Sequence, residues 1–352
     1  MRPIRVLIVD DSAVVRRIVT KLIEAEPGIE VAGIAQDGKI ALERIAQLKP
    51  DIVSLDLEMP VLDGLGVLAE LRRLQSKVPV IIFSAISEAG AEATLKALTL
   101  GASDYVTKPS QLSSIADSMS AIGSQLIEKI RALCPHGIES APAKQRLIQR
   151  PTEFAPCGIV AIGTSTGGPK ALERVMAALP ADLGVPVVIV QHMPPLFTRT
   201  LAKTLDDRCP LTVQEAHDGA LLKPGCAWVA PGDFHMELKR EDVGVRIVLG
   251  KGPKEHSCRP AVDPLFRSVA NAYREHAFGV VMTGMGKDGG GGAKAIREVG
   301  GQIVAQDEAT SVVWGMPGFV VEAGLANAVL PLDRIGEAVT AAARAGSRRG
   351  AR

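Results

Sequence analysis

Val6-Leu7-Ile8-Val9-Asp10-Asp11-Ser12 sets a short apolar run directly before two adjacent carboxylates. Such a run, bounded by charge, reads as a buried strand whose carboxyl end meets a polar site. Runs of the same kind follow at 29–35, 52–55, 80–83 and 105–106, with amphipathic stretches between them. The first of those stretches spaces Val14, Val15, Ile18, Val19, Leu22 and Ile23 as one helical stripe. Strands alternating with helices build βαβ units, and therefore an α/β domain with a parallel, doubly wound sheet. Such sheets bind their ligands beyond the carboxyl ends of the strands.

Those ends carry chemistry. Asp10 and Asp11 follow the first run, Asp56 the third, Ser84 the fourth and Lys108 the fifth. Singly they are ordinary, since an acidic pair after a strand often caps a helix and Lys-Pro is commonplace. At successive ends of one sheet they make an acidic pocket. Adjacent carboxylates repel, and a hard divalent cation with oxygen ligands, typically Mg2+, relieves them. Asp56 then suits a nucleophile toward an activated phosphoryl group, with Lys108 neutralising charge on the transferring oxygens.

A second α/β pattern starts at Gly158. Strands are expected at 159–163, 185–190, 227–230, 245–249, 279–283 and 302–305. Helices are expected at 170–179, 198–205, 263–273, 293–299 and 335–345. Between the two patterns, Pro135, Pro142, Pro151 and Pro156 punctuate a stretch holding Lys144, Arg146 and Arg150, which reads as a linker. The expected organisation is a first domain over 1–130, a linker over 131–156, a second domain over 157–345 and a frayed basic tail over 346–352.

Gly163-Thr164-Ser165-Thr166-Gly167-Gly168-Pro169 falls between a strand and a helix. Glycines there permit a tight turn that lifts the serine hydroxyl toward helix N-terminal amides. A glycine-rich phosphate loop has the same outline. Two features favour a nucleophile: the next strand ends Gln191-His192-Met193 without an acid, and no Lys-Ser/Thr pair follows the glycines. His192, in the same crevice, suits a general base. His136, His217, His235, His256 and His276 have no comparable placement; His235 and His256 could line the cleft, but a loop-surface reading is favoured for both. Asp288, in Met282-Thr283-Gly284-Met285-Gly286-Lys287-Asp288, offers the carboxylate of a triad, or alternatively a helix cap. The order Ser, His, Asp matches neither the α/β-hydrolase fold nor the two protease orders.

Composition narrows the classes further. Among 352 residues 47% are hydrophobic, 22% charged and 3% aromatic, with a net charge of +1. That balance is globular, and it supplies neither the basic field nor the stacking platforms of a nucleic-acid binder. Five scattered cysteines without a C-x-x-C pair point to reduced thiols. No uncharged apolar stretch reaches the ~20 residues of a membrane span, and no signal-peptide core is present, so a cytoplasmic protein with no membrane insertion is expected. A transcription factor would call for a small basic output domain, which the near-neutral second half does not resemble.

Residues 1–130 resemble the receiver domain of two-component response regulators, a flavodoxin-like (βα)5 fold. The match rests on Val9-Asp10-Asp11-Ser12, Asp56-Leu57-Glu58-Met59-Pro60, Asp63-Gly64, Ser84-Ala85 and Gly101–Tyr105 before Lys108-Pro109. The resemblance implies that Asp56 is the phosphoacceptor. Asp10, Asp11, Asp56 and the Glu58 backbone carbonyl would hold Mg2+, and Ser84, Tyr105 and Lys108 would sense the phosphoryl group. It also implies a cis Lys108–Pro109 bond and a histidine kinase as phosphodonor.

Residues 156–345 resemble the catalytic domain of chemotaxis protein-glutamate methylesterases. Ala161–Gly168, Gln191-His192-Met193, Ala230-Pro231-Gly232-Asp233, Arg259–Asp263 and Met282–Gly289 carry the match. The resemblance implies a doubly wound parallel hydrolytic domain with Ser165 as nucleophile, His192 as base and Asp288 as its orienter. The Met285 and Thr166 amides become candidate oxyanion donors. The implied reaction is hydrolysis of glutamate γ-methyl esters on the cytoplasmic domain of methyl-accepting chemoreceptors, with deamidation of receptor glutamines. No cofactor is implied for the esterase, no nucleic-acid partner is expected, and the protein is expected to be a monomer. Family resemblance further implies that the receiver restrains the hydrolase by covering its cleft, and that phosphorylation releases it.

Overall fold

The structure, a computed structural model, describes residues 2–108, 115–135 and 154–347. The chain divides into two compact units, Met1–Pro142 and Ala143–Arg352.

The first unit runs β1 (Ile4–Val9), α1 (Ala13–Glu24), β2 (Ile29–Ala35), α2 (Gly38–Leu48), β3 (Ile52–Asp56), α3 (Gly64–Arg73), β4 (Val80–Ser84), α4 (Glu88–Leu100), β5 (Asp104–Thr107) and α5 (Ile115–Leu133). Its sheet has the order β2-β1-β3-β4-β5 with every pairing parallel. This is the flavodoxin-like order, with its switch point between β1 and β3. Register pairs Val9 with Leu55, Asp56 with Phe83, and Ser84 with Thr107. The carboxyl ends bearing Asp10, Asp56, Ser84 and Lys108 therefore fall in one row. Val6, Ile8, Ile52, Ile81 and Val106 pack with Val19 and Ile23 of α1 and with Leu126 and Ile130 of α5. Each such side chain contributes about 1.5–3 kcal/mol of burial. Val14 departs from the expected stripe and is 66% exposed. It lies in the first turn of α1, next to the Ser12 cap and the polar strand ends, where no core faces it.

The second unit runs β6 (Ile159–Thr164), α6 (Gly168–Ala177), β7 (Val187–Gln191), α7 (Pro195–Arg208), β8 (Thr212–Glu215), β9 (Cys226–Val229), β10 (His235–Glu241), β11 (Gly244–Gly250), α8 (Val262–Tyr273), β12 (Ala277–Val281), α9 (Gly290–Glu298), β13 (Gln302–Gln306), α10 (Met316–Glu322), β14 (Ala328–Leu330) and α11 (Leu332–Ser347). Seven parallel strands form one sheet, ordered β14-β13-β12-β6-β7-β9-β8. The winding direction reverses between β12 and β6, which makes a switch point at the centre.

Several elements differ from the sequence reading. The strand expected at 245–249 belongs to the antiparallel β10–β11 hairpin outside the main sheet. The one expected at 279–283 ends at Val281, which leaves Met282 and Thr283 free to enter the loop beyond. β8, β10, β14 and α10 were not foreseen. β8 and β14 are edge strands too short for a clear pattern, and α10 opens Met316-Pro317-Gly318, with two poor helix formers. Packing onto this unit starts before residue 157: Phe154 meets Phe278 edge-on at 5.5 Å, and Ala155 exchanges two 2.9 Å hydrogen bonds with Gln302. Pro109, and with it the expected cis bond, lies outside the described residues, as do most of the linker, His136 and the end of the tail. No described helix is long and apolar enough to cross a membrane.

Candidate active site and phosphoacceptor pocket

The central strands β12, β6 and β7 deliver three loops to one place. Thr164 pairs in register with Gln191, so one further residue brings Ser165 alongside His192. Ser165 occupies the turn between β6 and α6. Its N–H donates to the Thr283 carbonyl at 3.0 Å, and its carbonyl accepts from the Gly168 N–H at 2.8 Å and from Gln191 Nε2 at 2.9 Å. The backbone is fixed on both sides, whereas the hydroxyl has no hydrogen-bond partner among the described residues.

Two glycines here answer different needs. Gly167, at φ 77°, adopts the left-handed conformation that turns the chain into α6. Gly284 serves close approach: a Cβ there would lie 2.8 Å from Ser165 Cβ and would collide with Met316 Sδ. The loop around Gly284 is stitched to the segment before α10. Gly284 N–H donates to the Val313 carbonyl at 3.0 Å, and its own carbonyl accepts from Gly315 N–H at 3.1 Å and Met316 N–H at 2.8 Å. Thr283 Oγ extends the seam, donating to the Thr166 carbonyl at 2.9 Å and accepting from Val312 N–H and Val313 N–H. The neighbouring Met285 N–H donates to no described residue.

His192 Nε2 lies 2.8 Å from Asp288 Oδ2. Asp288 is 1% exposed and sits in the turn before α9 instead of at the end of a strand. Its carboxylate also accepts N–H bonds from Val262 at 2.6 Å, Asp263 at 3.0 Å and Gly289 at 2.8 Å. Burial disfavours its charge, but the bond and charge of His192 and those backbone donors outweigh it and hold the carboxyl below its ordinary range. With Nε2 directed at a carboxylate, the neutral ring carries its proton there and leaves the Nδ1 lone pair available to act as a base. Burial likewise opposes charge on His192, yet the hydrogen bond to Asp288 and the interaction with Cys258 raise it from 6.5 to about 9. A raised base is protonated at neutral pH and becomes competent only as pH climbs through its pKa. Hydrolytic kcat/KM is therefore expected to rise from pH 7 toward pH 9. Cys258→Ala removes one of the two raising partners, so the acid limb of the pH–rate profile should move lower. A half-unit displacement is about threefold in neutral base at pH 7. A profile that moves upward, or stays in place, would show that the thiol does not act on the ring.

The loop supplying Cys258 escaped the sequence reading. Glu255 and Cys258 bridge each other, and between them His256 and Ser257 stand at φ 50° and 63°. These left-handed non-glycine residues mark a locally strained turn held by its surroundings. His256 is exposed in part, but its Nε2 lies 2.9 Å from Asp263 Oδ2 and 3.9 Å from Asp288 Oδ1. It is thus a neighbour of the Asp288 carboxylate and not a bystander on a loop. His235 also departs from expectation: it is 4% exposed in β10, its Nε2 bonded to the Pro253 carbonyl at 2.9 Å and its Nδ1 accepting from Ala261 N–H at 3.3 Å. Arg259 joins two motifs distant in sequence through a 2.6 Å bond to Asp233. His256, Asp263 and Asp288 place ligand atoms within 4.8 Å of one another, a cluster that no sequence spacing announces. Asp288 nevertheless has both oxygens committed to hydrogen bonds already.

In the first unit Asp56, Glu58, Ser84 and Lys108 line a pocket at the strand ends. Lys108 Nζ reaches Asp56 Oδ2 at 2.7 Å and Asp10 Oδ2 at 3.1 Å. Burial disfavours the ammonium, but its bonds to Asp56 and Asp10 more than offset this and raise it. Burial raises Asp10; Lys108 pulls it down, and Asp56 pushes it up again. Asp10 Oδ2 is buried and, despite its contact with Lys108, makes no well-aligned hydrogen bond. Asp10, Asp11 and Asp56 offer oxygens within 4.8 Å of one another. An all-oxygen acidic set with one under-used oxygen fits a hard divalent cation. Tyr105 is buried, its ring 5.2 Å from Lys129 Nζ; burial and then the Asp104 charge hold its phenol proton well above the usual range.

Two family models match the chain: CheB methylesterase over residues 160–339 and response regulator receiver domain over residues 6–120. A Trichodesmium erythraeum protein named protein-glutamate methylesterase/protein-glutamine glutaminase is 48% identical over 347 residues, covering 96% of this chain and 99% of that protein. A Caulobacter vibrioides relative, protein-glutamate methylesterase/protein-glutamine glutaminase 2, is 48% identical over 346 residues, covering 97% and 99%. The crystal structure of the Thermotoga maritima CheB methylesterase catalytic domain matches 53% of this chain and 98% of its own, with 45% identity and a TM-score of 0.52.

Proposed function

The chain belongs to the CheB methylesterase family and carries a response regulator receiver domain, and on that premise we propose that Ser165, His192 and Asp288 hydrolyse glutamate γ-methyl esters under the control of phosphorylation at Asp56. The observation that carries this reading is the 2.8 Å contact of His192 with a buried, amide-bound Asp288, one register step from a serine whose hydroxyl meets no partner among the described residues. Ser165 attacks the ester carbonyl while His192 takes the hydroxyl proton and passes it to departing methanol. The Met285 amide, which donates to no described residue, is suited to hold the oxyanion together with the amide of Thr166. Water then releases glutamate from the acyl-enzyme by the same base. Replacing methoxide by ammonia as leaving group gives deamidation of glutamine at the same atoms.

The substrate is the cytoplasmic domain of a methyl-accepting chemoreceptor, and a histidine kinase supplies the phosphoryl group in the cytoplasm. Asp10, Asp11, Asp56 and the Glu58 carbonyl would hold Mg2+, which supplies charge neutralisation for the transferring oxygens. Ser84, Tyr105 and Lys108 respond to the modified Asp56. Methanol release from receptor-containing membranes carrying methyl-labelled glutamates tests the activity. Control by the receiver has its own test. A restrained form favoured by about 1.4–2.7 kcal/mol leaves roughly 10% to 1% of molecules active. A fragment beginning near Thr152 should then outpace the unphosphorylated full chain by about 10- to 100-fold and ignore phosphodonor. Equal rates would mean that the receiver activates or targets the enzyme without restraining it.

A further inference from the structure

Thr94 lies on α4, completely buried, and faces the end of β4. Its hydroxyl oxygen is 2.6 Å from Ser84 Oγ and 2.7 Å from the Gly90 carbonyl. Ser84 is itself 2% exposed, and its Oγ is a further 3.2 Å from the Ala85 carbonyl and 3.3 Å from that of Gly90. Each hydroxyl has one proton to give. Both short distances are met as hydrogen bonds only when Thr94 donates to Gly90 and Ser84 donates to Thr94. In that arrangement the Ser84 proton points into α4, away from Asp56 and Lys108, although Ser84 lines their pocket. A hydroxyl that is to donate to a phosphoryl oxygen on Asp56 must first leave Thr94.

We propose that Thr94 is a positioning residue that latches Ser84 in the unphosphorylated orientation, so that the phosphorylated state forms only at the expense of the Thr94–Ser84 bond. This deepens the reading of Ser84 as a phosphoryl-sensing residue and rests on it. Thr94 keeps its bond to Gly90 whichever way Ser84 turns, so it biases the switch through one hydrogen bond alone. Such a bond between neutral groups is worth enough to move a two-state equilibrium about fivefold. Burial sharpens the effect, because a released Ser84 hydroxyl must find its new acceptor at once.

The test uses the full chain and beryllofluoride with Mg2+, a phosphoryl mimic, and reads its apparent Kd for the receiver. Thr94→Val keeps the shape and deletes the hydroxyl, and should bind the mimic about fivefold more tightly. Thr94→Ala deletes it at the cost of a small cavity and should move in the same direction, which covers a failure of the valine variant to fold. Thr94→Ser restores the hydroxyl and should return the Kd toward that of the parent chain. In a Ser84→Ala background the effect of Thr94→Val should vanish, since the two residues then share no bond. An unchanged or weaker Kd in both hydroxyl-less variants, or tightening that persists without Ser84, overturns the latch. Beryllofluoride binding undiminished by Ser84→Ala alone overturns instead the sensing role on which the latch depends.

Discussion

Ser165→Ala is expected to abolish methanol release while the protein still accepts phosphate at its first domain. Loss of the nucleophile in a serine hydrolase costs up to about 10⁶ in turnover, because triad members act as a unit. The change removes only an oxygen that bonds to no described residue; the Ser165 backbone bonds to Thr283, Gly168 and Gln191 remain available. Thermal stability should therefore stay near that of the parent, which separates chemical failure from unfolding. Labelling by a small phosphodonor should be normal, since every group of the acidic pocket lies on β1, β3, β4 and β5 or immediately after them. Methanol release near the parental rate in this variant would end the hydrolase reading of the site.

Asp56→Asn should abolish labelling altogether. The amide nitrogen is no nucleophile toward phosphorus, and the substitution also deletes a charge that Lys108 meets at 2.7 Å. Lys108 would then lean on Asp10 alone, at 3.1 Å. Chelating divalent cations should block labelling of the parent as completely as the substitution does, because Asp10 and Asp11 are left to repel Asp56. Hydrolysis by the variant should persist at the parent's unphosphorylated rate and should not rise on adding phosphodonor. Retained labelling of this variant would place the acceptor elsewhere.

Residues at strand ends were legible because strand ends are themselves legible. A β-branched run followed by Asp, Ser, His or Lys announces both an element and the side chain it delivers. Asp10, Asp56, Ser84, Lys108, Ser165 and His192 all follow that pattern. Asp288 was found through its glycine-rich surroundings, although it sits on a helix-leading turn and its partners are amides of α8. Cys258 gave no signal, and His256 only that of a residue able to line the cleft, ranked below a loop-surface reading. They reach the site through a turn with two left-handed residues, which hydrophobic periodicity does not register. Thr94 was equally silent, since one hydroxyl in an apolar helix reads as filler until its neighbour on another element is known. β8 and β14 were lost to brevity, and Val14 to the assumption that a stripe stays buried along its whole length.

The seam between Thr283–Gly284 and residues 312–316 bears on how turnover is paced. Loops that close over substrates often set enzyme rates, because ordering them takes time and costs entropy. Here the loop beside Ser165 is sewn along its length to a second segment, with no space for even one extra carbon at Gly284. The ordering entropy is thus met during folding and not at each catalytic cycle. The chemical cradle is standing furniture, ready before any ester arrives. Control over such an enzyme has little to gain from assembling the cradle, and is better exerted on who may reach it.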